Sequence, residues 1–188
     1  LGLPRGGVPV AYEIATALDV SLDVFIVRKL GVPGHEELAM GAIASGGVRV
    51  RNEEVIGQLN LSDADIERVA RKEQEELKRR EEVFRGERAP ADVEGKTVIV
   101  VDDGLATGAT MRAAVRALNT MNAAQVVVAV PTAPAETCDS LKNSADEVIC
   151  LSTPRPFAAI GQWYEDFRQT QDDEVRELLA RARQEAPR

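Results

Sequence analysis

Residues 98–110 read VIVVDDGLATGAT, and this stretch decides which fold the sequence predicts. Its first four residues are β-branched and apolar, which is typical of a strand buried inside a parallel sheet. The strand ends in two carboxylates, Asp102 and Asp103, and a Gly/Thr loop leads from them into a predicted helix at 111–121. Because open α/β sheets bind ligands at the carboxyl ends of their strands, the stretch predicts a ligand site here.

The loop at 104–110 has the properties of an anion site. A helix N-terminus offers unpaired backbone N–H groups and the positive end of the helix dipole to a phosphate. The two carboxylates beside it suit the vicinal hydroxyls of a sugar, or a metal ion. The alternative is a tight turn with incidental acids, but burying two carboxylates without a partner is costly. The pattern therefore favours a site for a sugar phosphate.

The same order of strand, paired acids and Thr-Gly loop resembles the motif with which type I phosphoribosyltransferases bind 5-phosphoribosyl-1-pyrophosphate (PRPP). Two other kinds of phosphate loop are not supported, since the chain contains neither a GxxxxGKS/T nor a GxGxxG sequence. The residues that carry the resemblance are Asp102, Asp103, Ala106, Thr107, Gly108, Ala109 and Thr110.

Two more segments match the same family. Residues 1–11, LGLPRGGVPVA, resemble its pyrophosphate loop, because glycines let backbone N–H groups approach an anion and Arg5 offers a guanidinium to phosphate oxygens. Arg28 and Lys29 follow an apolar strand, as a similar pair does in adenine and orotate phosphoribosyltransferases. Taken singly, these segments also fit a solvated turn and a basic strand end. Their occurrence in the family's order favours the resemblance.

The resemblance implies a doubly wound, mostly parallel α/β sheet with a small hairpin and helix insertion. It implies an enzyme of nucleotide metabolism that transfers the phosphoribosyl group of PRPP to an acceptor and releases pyrophosphate. The reaction would depend on Mg²⁺ held by substrate oxygens and water, so no residues are predicted as dedicated metal ligands. Asp102 and Asp103 would hold the ribose hydroxyls and act in catalysis, and residues 106–110 would bind the 5′-phosphate. The residues expected to face the pyrophosphate are Arg5, Gly6, Gly7, Arg28 and the further catalytic candidate Lys29.

The acceptor is left open by the sequence. Ala106 stands where hypoxanthine-guanine enzymes carry an Asp, so a general base would come from elsewhere, such as residues 35–37 of a predicted mobile loop at 30–38. Trp163 and Tyr164 could stack on a planar nucleobase-like acceptor or pack the terminal helix onto the sheet, and we expect Trp163 to contact the acceptor. A second function class is a catalytically inactive regulator that binds PRPP or a nucleotide. The acidic pair together with Arg5 and Lys29 favours the enzyme.

Composition narrows the partners. The 188 residues suit a single domain over 1–188, and a net charge of −8 disfavours binding to nucleic acid or to an anionic membrane surface. No apolar run reaches transmembrane length, and we expect a cytoplasmic protein, with a homodimer among the assemblies that the resemblance allows. Cys138 and Cys150 lack CxxC or metal-ligand spacing, so we expect both to be reduced and buried. The chain begins within a predicted strand, and we expect that a segment precedes it.

Strands alternate with helices along most of the chain, which predicts a mostly parallel sheet with helices on both faces. A hairpin is predicted at 40–52 around Gly46-Gly47, and Ser62 with Asp65 predicts the start of a long helix. The predicted core strands are 22–27, 97–101, 125–130 and 147–151, and the other predicted helices are 10–18, 134–142 and one that follows Thr170.

Overall fold

A computed structural model describes residues 1–185 as an α/β protein. None of the helices in that range is both long and apolar enough to cross a membrane. Two short 3-10 turns lie at Ser45–Gly47 and Ile160–Trp163. The helices and strands in chain order are α1 (Gly7–Leu18), β1 (Val27–Val32), β2 (His35–Ala44), β3 (Val48–Arg51), α2 (Glu53–Gln58), α3 (Asp63–Arg85), β4 (Thr97–Val101), α4 (Ala109–Thr120), β5 (Gln125–Thr132), α5 (Ala135–Leu141), β6 (Glu147–Ser152) and α6 (Asp172–Glu185).

Strands β4, β5 and β6 form a parallel sheet in that order. The first residues of the chain pair with the outer side of β4, where the Leu3 N–H donates to the Val101 carbonyl at 2.8 Å. On their other side, the Phe25 N–H donates to the Gly2 carbonyl at 2.9 Å. Strand β4 therefore lies between residues 1–3 and β5, which confirms the interior position that its apolar sequence predicts.

Alternate side chains of the parallel strands enter two separate core clusters. Val98 and Val100 pack in a cluster with the buried residues of α4 and α5. Val101 packs in the other cluster, with residues of α1, α3 and α6. Because neighbouring side chains of a strand point to opposite faces, both faces of β4 are covered, as the unbroken apolar run requires.

The segment 30–38 is a hairpin, so the prediction of a mobile loop is wrong. Strands β1 and β2 pair antiparallel from Val27 opposite Ala44 to Val32 opposite His35. Gly34 occupies the turn at φ 80°, and a Cβ on Gly31 would lie 2.8 Å from the Glu36 carbonyl. The glycines that suggested a loop thus permit a tight turn and a close approach of two strands. With β3 the result is a three-stranded antiparallel sheet, larger than the predicted hairpin.

Cys138 and Cys150 are joined by a disulfide, which corrects the prediction of two reduced cysteines. Cys138 lies on α5 and Cys150 on β6, with Cα atoms 6.6 Å apart. Helix α5 connects β5 to β6 and packs back onto β6, and this packing brings the two residues together. Spacing along the chain carries no signal of such a contact, because it depends on how the helix lies on the sheet.

A buried ionic contact ties α3 to the parallel sheet. The Arg85 side chain is 2 % exposed and donates to Asp23 Oδ2 at 3.0 Å and to the Val24 carbonyl at 2.8 Å. Glu81, one turn earlier on α3, accepts from the same guanidinium. The charge is thus paired and hydrogen-bonded, which offsets the cost of removing it from water.

We expect Arg85→Ala to lower the free energy of unfolding by about 3–5 kcal/mol, because Asp23 would remain at low exposure without its cation. The midpoint of urea denaturation measures this loss. Arg79→Ala is the matched control on α3, since Arg79 pairs with Glu76 at the exposed surface, and it should leave the midpoint almost unchanged. Equal midpoints for the two variants would contradict the role given to Arg85.

Candidate active site

The loop at residues 4–7 packs so closely against the end of β4 that no side chain fits at Gly6 or Gly7. A Cβ on Gly7 would lie 2.5 Å from the Val101 carbonyl and 2.8 Å from Asp102 Cα, and a Cβ on Gly6 would overlap the Asp103 carboxylate. The peptide between Pro4 and Arg5 is cis. The structure therefore brings two of the three predicted segments together, because Arg5, Gly6 and Gly7 lie at the acidic pair.

The two carboxylates at the end of β4 are partly buried close to each other. Burial, and secondarily the charge of Asp103, raises the pKa of Asp102 to about 7. Burial also raises the pKa of Asp103 above its ordinary value. Asp102 Oδ1 accepts a hydrogen bond from the Asp103 N–H at 2.9 Å. Hydroxyl groups or a cation placed beside this pair would favour its charged form, which is what a sugar or a metal ion supplies.

The loop after the carboxylates is open to solvent at the start of α4. Ala106, Thr107 and Thr110 are exposed, while Gly108 is buried at φ 70° and caps the helix without a side-chain hydrogen bond. The first N–H groups of a helix have no partner within it. These groups, the two threonine hydroxyls and the helix dipole make residues 106–110 suitable for binding a phosphate.

A segment after β6 covers the acidic pair. The Tyr164 hydroxyl donates to the Asp103 carbonyl at 2.6 Å, and burial, followed by the charges of Asp103 and Asp102, raises the Tyr164 pKa to about 12. Ile160 packs on Gly104, where a Cβ would lie 2.7 Å from Ile160 Cγ2. Tyr164 is therefore a neutral donor that fixes the Asp103 backbone. The sequence predicts that Tyr164 either stacks on an acceptor or packs the terminal helix, and nothing in its spacing signals a contact with residue 103.

A cavity of about 550 Å³ lies beside this cluster. Its volume falls within the range of pockets that hold small molecules. Arg5 reaches it and forms an ion pair with Asp172 at 3.5 Å. The residues that line the cavity include Arg5, Gly6, Asp103, Tyr164 and Phe167.

The remaining predicted residues lie elsewhere. Lys29 is exposed on β1 and lines a separate cavity of about 300 Å³ with Ala109 and Arg112. Arg28 donates to Glu73 on α3 at 2.8 Å. Trp163 is 45 % exposed and does not belong to the core cluster into which α6 packs. The structure thus places Lys29 beside the start of α4, whereas Arg5 lies beside Asp103.

Metal binding at this site is consistent with the donor chemistry. Within residues 1–185 there is no group of three or more His, Cys, Asp or Glu side chains arranged to hold a metal ion. Asp102 and Asp103 provide hard oxygen ligands of the kind that Mg²⁺ prefers, and Mg²⁺ is usually held by one or two carboxylates with substrate phosphates and water. The residues present therefore fit an ion that arrives with a phosphorylated substrate.

An acidic pair and an exposed loop at a helix start lie at the carboxyl end of a parallel strand, which is where open α/β sheets bind their ligands. The chain belongs to the phosphoribosyl transferase family, because its residues 1–165 match that family's phosphoribosyl transferase domain.

Similar proteins agree with this membership. Two Mycobacterium tuberculosis proteins, "Putative phosphoribosyl transferase Rv0571c" of strain H37Rv and "Putative phosphoribosyl transferase MT0597" of strain CDC 1551, are each 50 % identical to it over 182 residues. That match covers 97 % of this chain but 41 % of each relative, so the chain spans about two-fifths of their length. The crystal structure of TT1426 from Thermus thermophilus superimposes with a TM-score of 0.86 at 42 % identity, over 96 % of this chain and 85 % of that one.

The raised pKa of Asp102 predicts a pH-dependent stability of the unliganded protein. An acid whose pKa rises from 3.8 to about 7 on folding favours the folded state fully below pH 4, and this contribution is lost as the pH rises through 7. Asp102→Asn cannot ionise, so it should be more stable than the wild type at pH 8, by on the order of 4 kcal/mol.

Urea denaturation at pH 4 and pH 8, without Mg²⁺ or phosphate, measures the difference between the two proteins. Asp92→Asn is the control, because a hydrogen bond from Lys96 lowers the pKa of Asp92 and the effect there has the opposite sign. If the wild type is as stable as Asp102→Asn at pH 8, burial does not raise the pKa of Asp102 and this prediction is wrong.

Proposed function

We propose that this domain transfers the 5-phosphoribosyl group of PRPP to a nucleobase-like acceptor and releases pyrophosphate. The observation that carries the proposal is the contact of Gly6 and Gly7 with Asp102 and Asp103, directly beside the exposed loop at 106–110. Membership of the phosphoribosyl transferase family supports a transferase. We also propose that residues 1–188 form one doubly wound domain, to which α6 belongs because it packs on α1 and α3.

Each part of the site has a role in this reaction. Asp102 and Asp103 accept hydrogen bonds from the ribose hydroxyls and stabilise the positive charge that develops on the ribose ring as the bond to pyrophosphate breaks. The backbone of 106–110, with the hydroxyls of Thr107 and Thr110, binds the 5′-phosphate. The Arg5 guanidinium and the N–H groups of Gly6 and Gly7 bind the pyrophosphate as it leaves.

Mg²⁺ is the cofactor of this proposal. Asp102 and Asp103 would hold it together with the substrate oxygens, and when bound it neutralises charge on the leaving pyrophosphate. The two aspartates would ionise at neutral pH when such a cation is near, because an opposite charge offsets the effect of burial on their pKa values.

Lys29 and Arg28 remain candidates for the substrate phosphates. Lys29 lines a cavity with Ala109, the first residue of α4, so it lies on the side of the loop at 106–110. Arg28 would first have to leave Glu73. We therefore give Lys29 a role in binding or catalysis and give Arg28 a supporting role.

The acceptor is proposed to bind near residues 160–167. The cavity next to Asp103 is bounded there by Tyr164 and Phe167, whose ring centroids are 5.1 Å apart. Trp163 is exposed immediately before Tyr164, and its indole is available to stack on a planar base.

Pyrophosphate release on mixing the protein with PRPP, Mg²⁺ and a panel of nucleobases tests the proposed activity. We expect release with at least one base and none in its absence. If PRPP binds but no base causes release of pyrophosphate, the enzyme is contradicted and the second function class, a PRPP-binding regulator, is favoured.

The double variant Asp102→Asn with Asp103→Asn should weaken PRPP binding by about 1–3 kcal/mol, the range of hydrogen bonds that involve a charged partner. Isothermal titration calorimetry with Mg²⁺ measures the affinity. Asp139→Asn, at the surface of α5, is a matched control that should bind PRPP like the wild type. Unchanged affinity in the double variant would remove both aspartates from the site.

Trp163→Ala should lower kcat/KM for the acceptor about tenfold or more, since stacking of a base on an aromatic ring contributes about 1–3 kcal/mol. PRPP affinity should stay nearly constant, because the indole is proposed to contact only the acceptor. Steady-state kinetics and calorimetry separate the two effects, and Trp163→Phe should retain most of the activity. Normal turnover of Trp163→Ala would show that the acceptor binds elsewhere.

A further inference from the structure

Helix α5 contacts the loop at 106–110, called the phosphate loop below because it is proposed to bind the 5′-phosphate. The Thr137 hydroxyl donates to the Ala106 carbonyl at 2.8 Å. The Thr137 methyl group faces Gly108, where a Cβ would lie 2.8 Å from Thr137 Cγ2. One residue of α5 therefore contacts the loop at two points, through a hydrogen bond and through packing.

A second contact extends this support to the next peptide. The Arg112 Nη2 donates to the Thr107 carbonyl at 2.8 Å, and its Nη1 lies 3.4 Å from the Ser140 hydroxyl as a donor. Ser140 in turn donates to the Thr137 carbonyl at 2.8 Å. The carbonyls of Ala106 and Thr107 are thus both held by side chains that belong to α5 or are hydrogen-bonded to it.

Holding these carbonyls fixes the N–H groups of the loop. In a planar trans peptide the N–H points opposite to the C=O. The Thr107 and Gly108 N–H groups therefore point away from α5 and Arg112, toward the side on which a phosphate would bind. The support from α5 orients two of the donors that the proposed 5′-phosphate site uses.

The disulfide anchors this support to the sheet. Helix α5 has seven residues, and a helix this short is unstable without tertiary contacts. Cys138 follows Thr137 directly and is bonded to Cys150 on β6. In a reducing compartment such as the cytoplasm that the sequence predicts, disulfides are characteristically transient and redox-sensing.

We propose that the Cys138–Cys150 disulfide is a redox switch that controls the phosphate loop through Thr137, which is a positioning residue. A dithiol reductant transfers two electrons and two protons to the disulfide, leaving a thiol on each cysteine and a disulfide on the reductant. Helix α5 then loses its covalent bond to β6, Thr137 no longer holds the Ala106 carbonyl in place, and affinity for a sugar phosphate falls. The loss of affinity rests on the proposed function, whereas the change in loop order does not.

Hydrogen–deuterium exchange of the unliganded protein tests the switch directly. The backbone amide of Arg112, whose N–H donates to the Gly108 carbonyl at 2.9 Å, and the hydrogen-bonded amides of Thr137 and Cys138 on α5 should exchange faster after reduction with dithiothreitol than in the oxidised protein, while amides of β4 remain protected. The affinity for PRPP with Mg²⁺, measured in parallel, should fall about five- to tenfold on reduction, the effect of one or two lost hydrogen bonds. Identical exchange of these amides in both states overturns the proposal.

Three variants separate the switch from a general loss of structure. The double variant Cys138→Ala with Cys150→Ala should resemble the reduced protein and should not respond to dithiothreitol. Thr137→Val should speed exchange of the Arg112 amide with the disulfide intact, and Thr137→Ser, which keeps the hydroxyl, should restore the slow rate. A slow rate in Thr137→Val overturns the role of Thr137.

Failure of the proposed function would look different. If the oxidised protein does not bind PRPP while exchange of the Arg112 amide still responds to reduction, PRPP is the wrong ligand and the switch stands. If PRPP binds equally in both states and exchange is unchanged, the proposed function stands and the switch is overturned.

Discussion

The close packing of the Gly6–Gly7 backbone on Asp102 and Asp103 is the contact on which the rest of the site depends. It leaves no space for a Cβ on either glycine, so two loops that are about a hundred residues apart in the chain meet at backbone distance. This contact places Arg5 beside Asp103 and sets the direction in which α1 leaves the loop. A phosphate bound by the loop at 4–7 and a sugar bound by the carboxylates would then be parts of the same ligand.

The electrostatics of the site follow from that packing. Burial raises the pKa values of Asp102 and Asp103, and Tyr164 adds a neutral hydroxyl that fixes the Asp103 backbone. The folded protein is therefore less stable when the two carboxylates are charged. A ligand that brings hydroxyls or a cation supplies the hydrogen bonds or opposite charge that the buried carboxylates lack. An unliganded site that is costly to ionise is suited to bind a polyhydroxylated, metal-bound substrate, because part of the binding energy is the relief of this cost.

Local patterns in the sequence predicted the parts of the fold that depend on local physics. The β-branched run before Asp102, the Ser62 cap of α3 and the Gly46-Gly47 turn are each determined by neighbouring residues, and all three are present. The glycines at 31 and 34 were misinterpreted because a glycine permits both a loop and a tight strand pair. The disulfide and the Tyr164 contact with Asp103 were missed because both depend on which elements pack together. The placement of Lys29 depends equally on how β1 lies against α4.

The position of residues 1–3 within the parallel sheet also constrains the order of folding. They are bounded by residues 23–25 on one side and by β4 on the other, and the hydrogen bond from Leu3 to Val101 joins the start of the chain to its middle. Contacts between residues so distant in sequence form slowly, because the intervening chain must first be brought to closure. During synthesis, residues 1–3 cannot take up this pairing until β4 has left the ribosome. The loop at 4–7, which follows them directly, can reach Asp102 and Asp103 only then, so this part of the fold is assembled late.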